Sequence, residues 1–123
     1  MSKMLLSIKP EYVDKILAGK KKYEFRKFRC RQDIDTIVIY ATAPVKKIVA
    51  EAMIDDVLEG DIEEIWQRTK PDSGITKKAY AAYYRGREIA IAYKLGKIVT
   101  YQTPKTLDEI GLNYTPQSFA YLE

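Results

Sequence analysis

The sequence predicts an α+β fold: a small barrel or strongly bent sheet of five or six short strands, with helices packed at its side. Three observations predict it. Period-two runs cluster between residues 22 and 54 with no helical pattern between them, where a doubly wound fold would need one. Helical spacing occurs mainly at residues 10–18 and 61–86, inserted among the strands rather than alternating with them. No repeat, low-complexity tract or linker divides the 123 residues, so a single domain over 1–123 is expected.

Residues 4–8, Met-Leu-Leu-Ser-Ile, are short and apolar enough for a first strand. Pro10 then stands at a first helical position, where its missing N–H costs nothing. Tyr12, Val13, Ile16 and Leu17 recur at helical spacing, and Glu11 stands four before Lys15. Gly19 follows the last apolar position and is able to stop the helix in a left-handed conformation. A helix over 10–18 is expected. After Gly19 the period becomes two, with Tyr23 and Phe25 on one face and Lys22, Glu24 and Arg26 on the other. Lys21 belongs to the strand entry, so alternation alone does not set it beside Glu24.

Residues 36–42 form a β-branched, largely buried strand, ended by Ala43-Pro44. Residues 45–58 hold another, with Ile48, Ala50, Ala52 and Ile54 on one parity and Val49, Glu51 and Met53 on the other. Glu51 interrupts an apolar run; it sits at a rim or faces a cation, because burying it unpaired is costly. Asp61, with Glu64 three residues on, has capping-box spacing for a helix through Trp66. Residues 70–74 read as a loop. Thr76 caps a second helix that carries Tyr80, Tyr83 and Tyr84 and closes at Gly86, an aromatic stripe that reads as core before stacking platform. Residues 88–95 alternate as a strand, and Gly96-Lys97 is expected to turn it into 98–101 as a hairpin. Residues 106–111 suggest one more capped turn, and 116–122 are apolar enough to pack back onto the body.

Histidine is absent, which removes Ser-His-Asp and Cys-His nucleophile systems and the usual imidazole metal ligands. No metal and no cofactor is expected, and acid–base chemistry is left to Glu, Asp, Lys, Tyr or water. The lone Cys30 excludes an internal disulfide and fits a reducing cytoplasm; with no His partner its thiol is expected to be inert. No apolar run approaches a membrane span, and the N-terminal apolar core is too short for a signal peptide, so a cytoplasmic location without a membrane partner is expected. Net charge is +4, but its distribution says more. Residues 20–31 carry seven Lys/Arg and one acid, Glu24, whereas residues 51–65 carry seven acids and no base. Such polarity offers one cationic face to a polyanion, or is solvated surface on both sides.

Gly19-x-Lys21-x-x-Glu24-x-Arg26 matches the G-x-K-x-x-E-x-R signature of the ASCH domain family, in the PUA-like superfamily. Ser7-Ile8-Lys9-Pro10, Tyr40-Ala41-Thr42-x-Pro44, Trp66, Tyr83-Tyr84-x-Gly86 and Pro116-Gln117-Ser118-Phe119 further resemble a bacterial, archaeal and phage subgroup of it. The resemblance covers nearly the whole chain. It implies a small PUA-like β-barrel with helices at its side and a cleft associated with Lys21, Glu24 and Arg26. It also implies binding to RNA, a nucleotide or a modified nucleoside; close members are described as transcriptional regulators. Some members are enzymes that hydrolyse N4-acetylcytidine or cleave RNA. The acetylcytidine hydrolases carry Thr where this chain has Glu24, paired with the motif Lys and a distant Glu for which Glu51 is the candidate here. A carboxylate at 24 does not supply that hydroxyl, which weighs against the amidohydrolase reaction.

Three readings follow. In the first the chain binds RNA or a nucleotide, with the cationic block approaching phosphates and Tyr40 or Tyr84 stacking a base. Five phosphate contacts from Lys20, Lys21, Lys22, Arg26 and Arg29 would give a log–log salt slope of about −3.5 on single strands. In the second it is a hydrolase of RNA or a modified nucleoside, with Lys21 as base and Glu24 beside it; the neighbouring cations lower the lysine pKa and Glu24 raises it. In the third Glu24 and Arg26 are an ion pair that fixes strand register, with nothing bound. The first is favoured, with Lys21, Glu24 and Arg26 at the site and Lys9, Tyr40, Thr42, Glu51, Tyr84 and Ser118 around it. The oligomeric state is left open.

Overall fold

A computed structural model describes residues 2–122 of the chain. In chain order the elements are β1 (Ser2–Ile8), α1 (Pro10–Leu17), β2 (Tyr23–Arg26), β3 (Ile34–Ala41), β4 (Lys47–Asp61), α2 (Ile62–Thr69), α3 (Lys77–Tyr83), β5 (Ile89–Lys105) and β6 (Phe119–Leu122). Single 3-10 turns lie at Lys70–Asp72 and Asp108–Ile110. All six strands belong to one sheet in the order β2-β5-β4-β3-β1-β6. The central β1–β3 pair is parallel and the other pairings are antiparallel. The apolar runs of β1 and β3 suit that position, since both of their faces are covered. Met4, Leu6, Ile37 and Ile39 pack on one side with Val13 and Ile16 of α1, whereas Leu5, Val38 and Tyr40 pack on the other with Ile48 and Leu107. Each such side chain contributes roughly 1.5–3 kcal/mol when fully buried. Among the described residues no helix is long and apolar enough to cross a membrane.

The α+β class agrees with expectation; of the two sheet forms expected, a small barrel or a strongly bent sheet, the barrel is not confirmed, because the sheet is not closed. Among the described residues β2 and β6 are the two edges, and no ladder joins them. β2 has only four residues, all paired with β5 on one side. The two edges approach each other through side chains instead. Arg26 of β2 donates to the Ser7 carbonyl at 2.9 Å and the Ser118 hydroxyl at 3.3 Å, and the Phe28 and Phe119 rings stack at 4.2 Å. The result is a bent, open sheet with a side-chain seam.

The hairpin expected at Gly96-Lys97 is also absent. β5 runs unbroken for 17 residues, paired with β4 along its length through register shifts around Ile54. A Cβ built at Gly96 would lie 2.1 Å from the Asp55 carboxylate, so this glycine marks a close approach at a bulge, not a turn. The helix caps are as expected. The Asp61 carboxylate accepts from the Glu63 and Glu64 amides, and the Thr76 hydroxyl accepts from the Ala79 amide. α2 and α3 cover a third cluster, in which Tyr80 and Tyr84 are buried beside Phe25 and Trp66.

Candidate functional site

The site is assembled where α1 hands over to β2. Gly19 takes φ +77°, and the Lys20 and Lys21 amides both fold back onto the Lys15 carbonyl. The Lys22 amide then donates to the Asp72 carbonyl at 2.8 Å, and Leu95 donates to the Lys22 carbonyl as β2 joins β5. This path turns Lys21 inward, although strand alternation alone did not set it beside Glu24. The side chains of Lys21, Glu24 and Arg26 line one cavity of about 520 Å³ between β2, α1 and α3. Tyr12, Phe25 and Tyr83 supply aromatic walls, and Lys9 and Ser7 complete the β1–α1 side.

Lys21 is only 2% exposed. Its Nζ donates to the Ser73 carbonyl at 2.8 Å and lies 4.9 and 5.2 Å from the Phe25 and Tyr12 ring centroids. Burial lowers its pKa from 10.5 to about 8; the Glu24 charge opposes that shift, and Lys15 and Arg26 reinforce it. Glu24 and Arg26 sit on one strand face, two residues apart, and pair there. Arg26 Nε and Nη2 both donate to Glu24 Oε2, at 3.1 and 2.8 Å. Glu24 Oε1 accepts no hydrogen bond from the described residues, yet none of their fully buried side-chain polar atoms lacks a partner. That oxygen therefore opens onto the cavity. The floor thus presents a buried ammonium with one of its three N–H groups engaged, next to a carboxylate oxygen free to accept.

The other expected site residues scatter. Ser118 touches the site through Arg26, and Lys9 lines the cavity as an exposed rim cation. Tyr40 is buried on the opposite side of β3, and Thr42, whose amide donates to the Ile8 carbonyl, lies past the strand end; neither lines the cavity. Tyr84 faces the core, its hydroxyl donating to the Arg26 carbonyl at 2.8 Å. Glu51 lies elsewhere on the sheet, with Lys3 and the Tyr101 hydroxyl donating to it. Burial raises its pKa, but Tyr101 and Lys3 outweigh this and hold it below the usual carboxylate range. Neither Tyr12 nor Tyr83 was expected among the site residues, although both were read as helix-face aromatics. Tyr83 was readable as the residue at the edge of the α3 stripe, adjoining the buried positions 80 and 84. The cationic block is no continuous face either. Lys21 and Arg26 are buried, Arg29 pairs with Glu59 at 3.1 Å, and Arg31 pairs with Asp33 at 3.2 Å. Among the described residues no group of three or more His, Cys, Asp or Glu is arranged to hold a metal ion.

Fold and site together define an α+β protein with a lysine–glutamate–arginine cleft beside a bent, six-stranded sheet. The ASCH domain model matches residues 6–99, and the chain belongs to that family. It is 32% identical to the ASCH domain-containing ribonuclease of Zymomonas mobilis, over 96% of this chain and 82% of that protein. The crystal structure of ASCH from Zymomonas mobilis superposes with a TM-score of 0.89 at 32% identity, covering 98% of this chain and 87% of the other. The chain is also 38% identical to the large ribosomal subunit protein uL22 of Ureaplasma parvum over 71% of its length, but spans only 28% of that relative. The N-terminal domain of McrB from Staphylothermus marinus shares the fold alone, at 14% identity and a TM-score of 0.54 over 88% of this chain and 78% of that one.

Proposed function

We propose that this protein binds unpaired RNA or a nucleotide in the cleft floored by Lys21, Glu24 and Arg26. One observation carries the reading: a cavity of about 520 Å³ holds a buried ammonium and a free carboxylate oxygen between aromatic walls. That volume lies in the range of small-molecule sites, roughly 300–1,000 Å³, so it suits one nucleotide or base and not a duplex. A planar base meets Tyr12, Phe25 and Tyr83, and its polar edge meets Lys21 and Glu24. Lys9 lines the cavity and Lys27 Nζ sits 4.6 Å over the ring of the lining Tyr83; both lysines are exposed and available to phosphates. A modified base falls within the same reading. A single thiol with no internal disulfide fits a reducing cytoplasm.

Cleavage of the bound strand is the second reading. It is favoured by the ribonuclease name of a relative aligned along nearly the whole chain, and by a lysine whose pKa of about 8 leaves part of it unprotonated near neutral pH. The test is fluorescence anisotropy with a labelled ten-nucleotide unpaired RNA and its duplex, followed by a denaturing gel of the recovered strand. At least tenfold preference for the unpaired strand is expected. Equal affinity for both, or none, would overturn the binding reading. Fragments that increase as pH passes 8 and vanish in Lys21→Ala would establish cleavage.

A further inference from the structure

We propose that Gly74, acting with the Ser73 carbonyl, is a positioning residue for Lys21: the loop between α2 and α3 holds the lysine stem and directs its ammonium into the cavity. The inference rests on the cleft reading above for its functional meaning, but its geometry is independent of any ligand. Gly74 takes φ +66°, a conformation that L side chains rarely adopt. A Cβ built there would lie 2.4 Å from Lys21 Cβ, 2.6 Å from its Cγ and 2.9 Å from its Cα. These are the root of the side chain and the backbone, not a flexible tip, so the lysine itself would have to move. The bare glycine leaves a slot that the lysine stem fills.

The rest of the loop is tied to the same segment. Asp72 and Ser73 supply carbonyls to the Lys22 amide and to Lys21 Nζ, both at 2.8 Å, and Lys15 Nζ reaches the Gly74 carbonyl at 3.3 Å. The Ser73 hydroxyl lies 3.2 and 3.1 Å from the Lys70 and Ile75 carbonyls, which share its one proton and close the loop on itself. Four consecutive residues, 72–75, thus either face the 15–22 segment or brace the loop that does. A loop serving only to join two helices does not need a carbonyl aimed at a buried ammonium.

The test uses the intact chain with Gly74→Ala, alone and with Lys21→Met. Binding of the labelled unpaired RNA is expected to fall at least tenfold in Gly74→Ala, and to change less than twofold when the same substitution is added to Lys21→Met. Equal losses in both backgrounds, or no loss in either, would overturn the positioning role. A second readout needs no ligand. The Lys21 side-chain NMR signal is expected to titrate near pH 8 in the parent and to move upward, toward the ordinary lysine value, in Gly74→Ala, because displacement returns the ammonium to water. Where Gly74→Ala does not fold, Ser73→Ala is expected to shift that titration upward by a smaller amount. An unchanged titration in the variant that folds refutes the clamp. If RNA does not bind the parent chain, the cleft reading fails, and the titration still decides the clamp.

Discussion

Lys21 is charged at neutral pH in a place that disfavours charge, and this sets an energetic signature. A folded pKa of about 8 against 10.5 in the unfolded chain means that the unfolded state binds more protons between those values. Stability contributed through this group therefore rises as pH goes from 8 toward 10.5, and the buried charge costs on the order of 3 kcal/mol below pH 8. Above pH 10 tyrosines act in the opposite sense: burial pushes Tyr80 up to about 12, so the unfolded state loses its proton first and stability falls. Between pH 8 and 10 denaturant unfolding is expected to show the wild-type chain gaining on Lys21→Met, and a pH-independent difference would refute the assignment. Arg26 poses a different case. Its removal leaves the Glu24 carboxylate, with its side chain 9% exposed, without a partner and breaks the seam to Ser7 and Ser118. Arg26→Ala is expected to cost about 3–5 kcal/mol, and Glu24→Leu with Arg26→Met clearly less, by the same unfolding measurement. A double variant as unstable as Arg26→Ala would contradict this.

At the scale of elements, two glycines at close approaches, one in the β4–β5 bulge and one in the α2–α3 loop, have unlike consequences. Gly96 faces the end of an exposed, flexible Asp55 side chain, which swings away at little cost. Gly74 faces the Lys21 stem and backbone in a left-handed conformation. Gly96→Ala is expected to cost under about 1 kcal/mol and Gly74→Ala about 1–3 kcal/mol in thermal or denaturant unfolding. The reverse order would show that the bulge, not the loop, is the tight spot. Elements were legible wherever local chemistry decides them. Pro10, Gly19, Asp61, Thr76 and the Thr106–Glu109 capping pair all act as their types suggest. Gly96 was misread because a turn glycine and a bulge glycine look alike until the partner strand is known. Here β4 continues past Ile54 alongside β5, so the chain has no reason to reverse.

For the whole molecule, charge and topology limit what local pattern tells. The motif lysine, glutamate and arginine were readable as a group, but the closing of Lys21 onto the cavity depends on residues 72–74, some 50 positions away. Tyr40, Glu51 and Tyr84 were chosen by residue type, and long-range packing turned each away from the cleft. The cationic run behaves likewise, since its members are divided among the cavity floor, surface ion pairs and open rim. With Lys21 on the base edge, Lys9 and Lys27 leave two phosphate contacts, and a salt slope of about −1.4 on single strands rather than −3.5. A titration series from low to moderate salt checks this, and a slope of about −3.5 or steeper would restore the continuous cationic face.

The most direct test compares Lys21→Met with Lys20→Met in anisotropy titrations of the same unpaired RNA at pH 7. Lys20 is exposed one residue away and has no place in the cavity. The cleft account predicts at least a tenfold loss of affinity in Lys21→Met without loss of stability, and less than a threefold change in Lys20→Met. Wild-type affinity in Lys21→Met, or an equal loss in both variants, would contradict it.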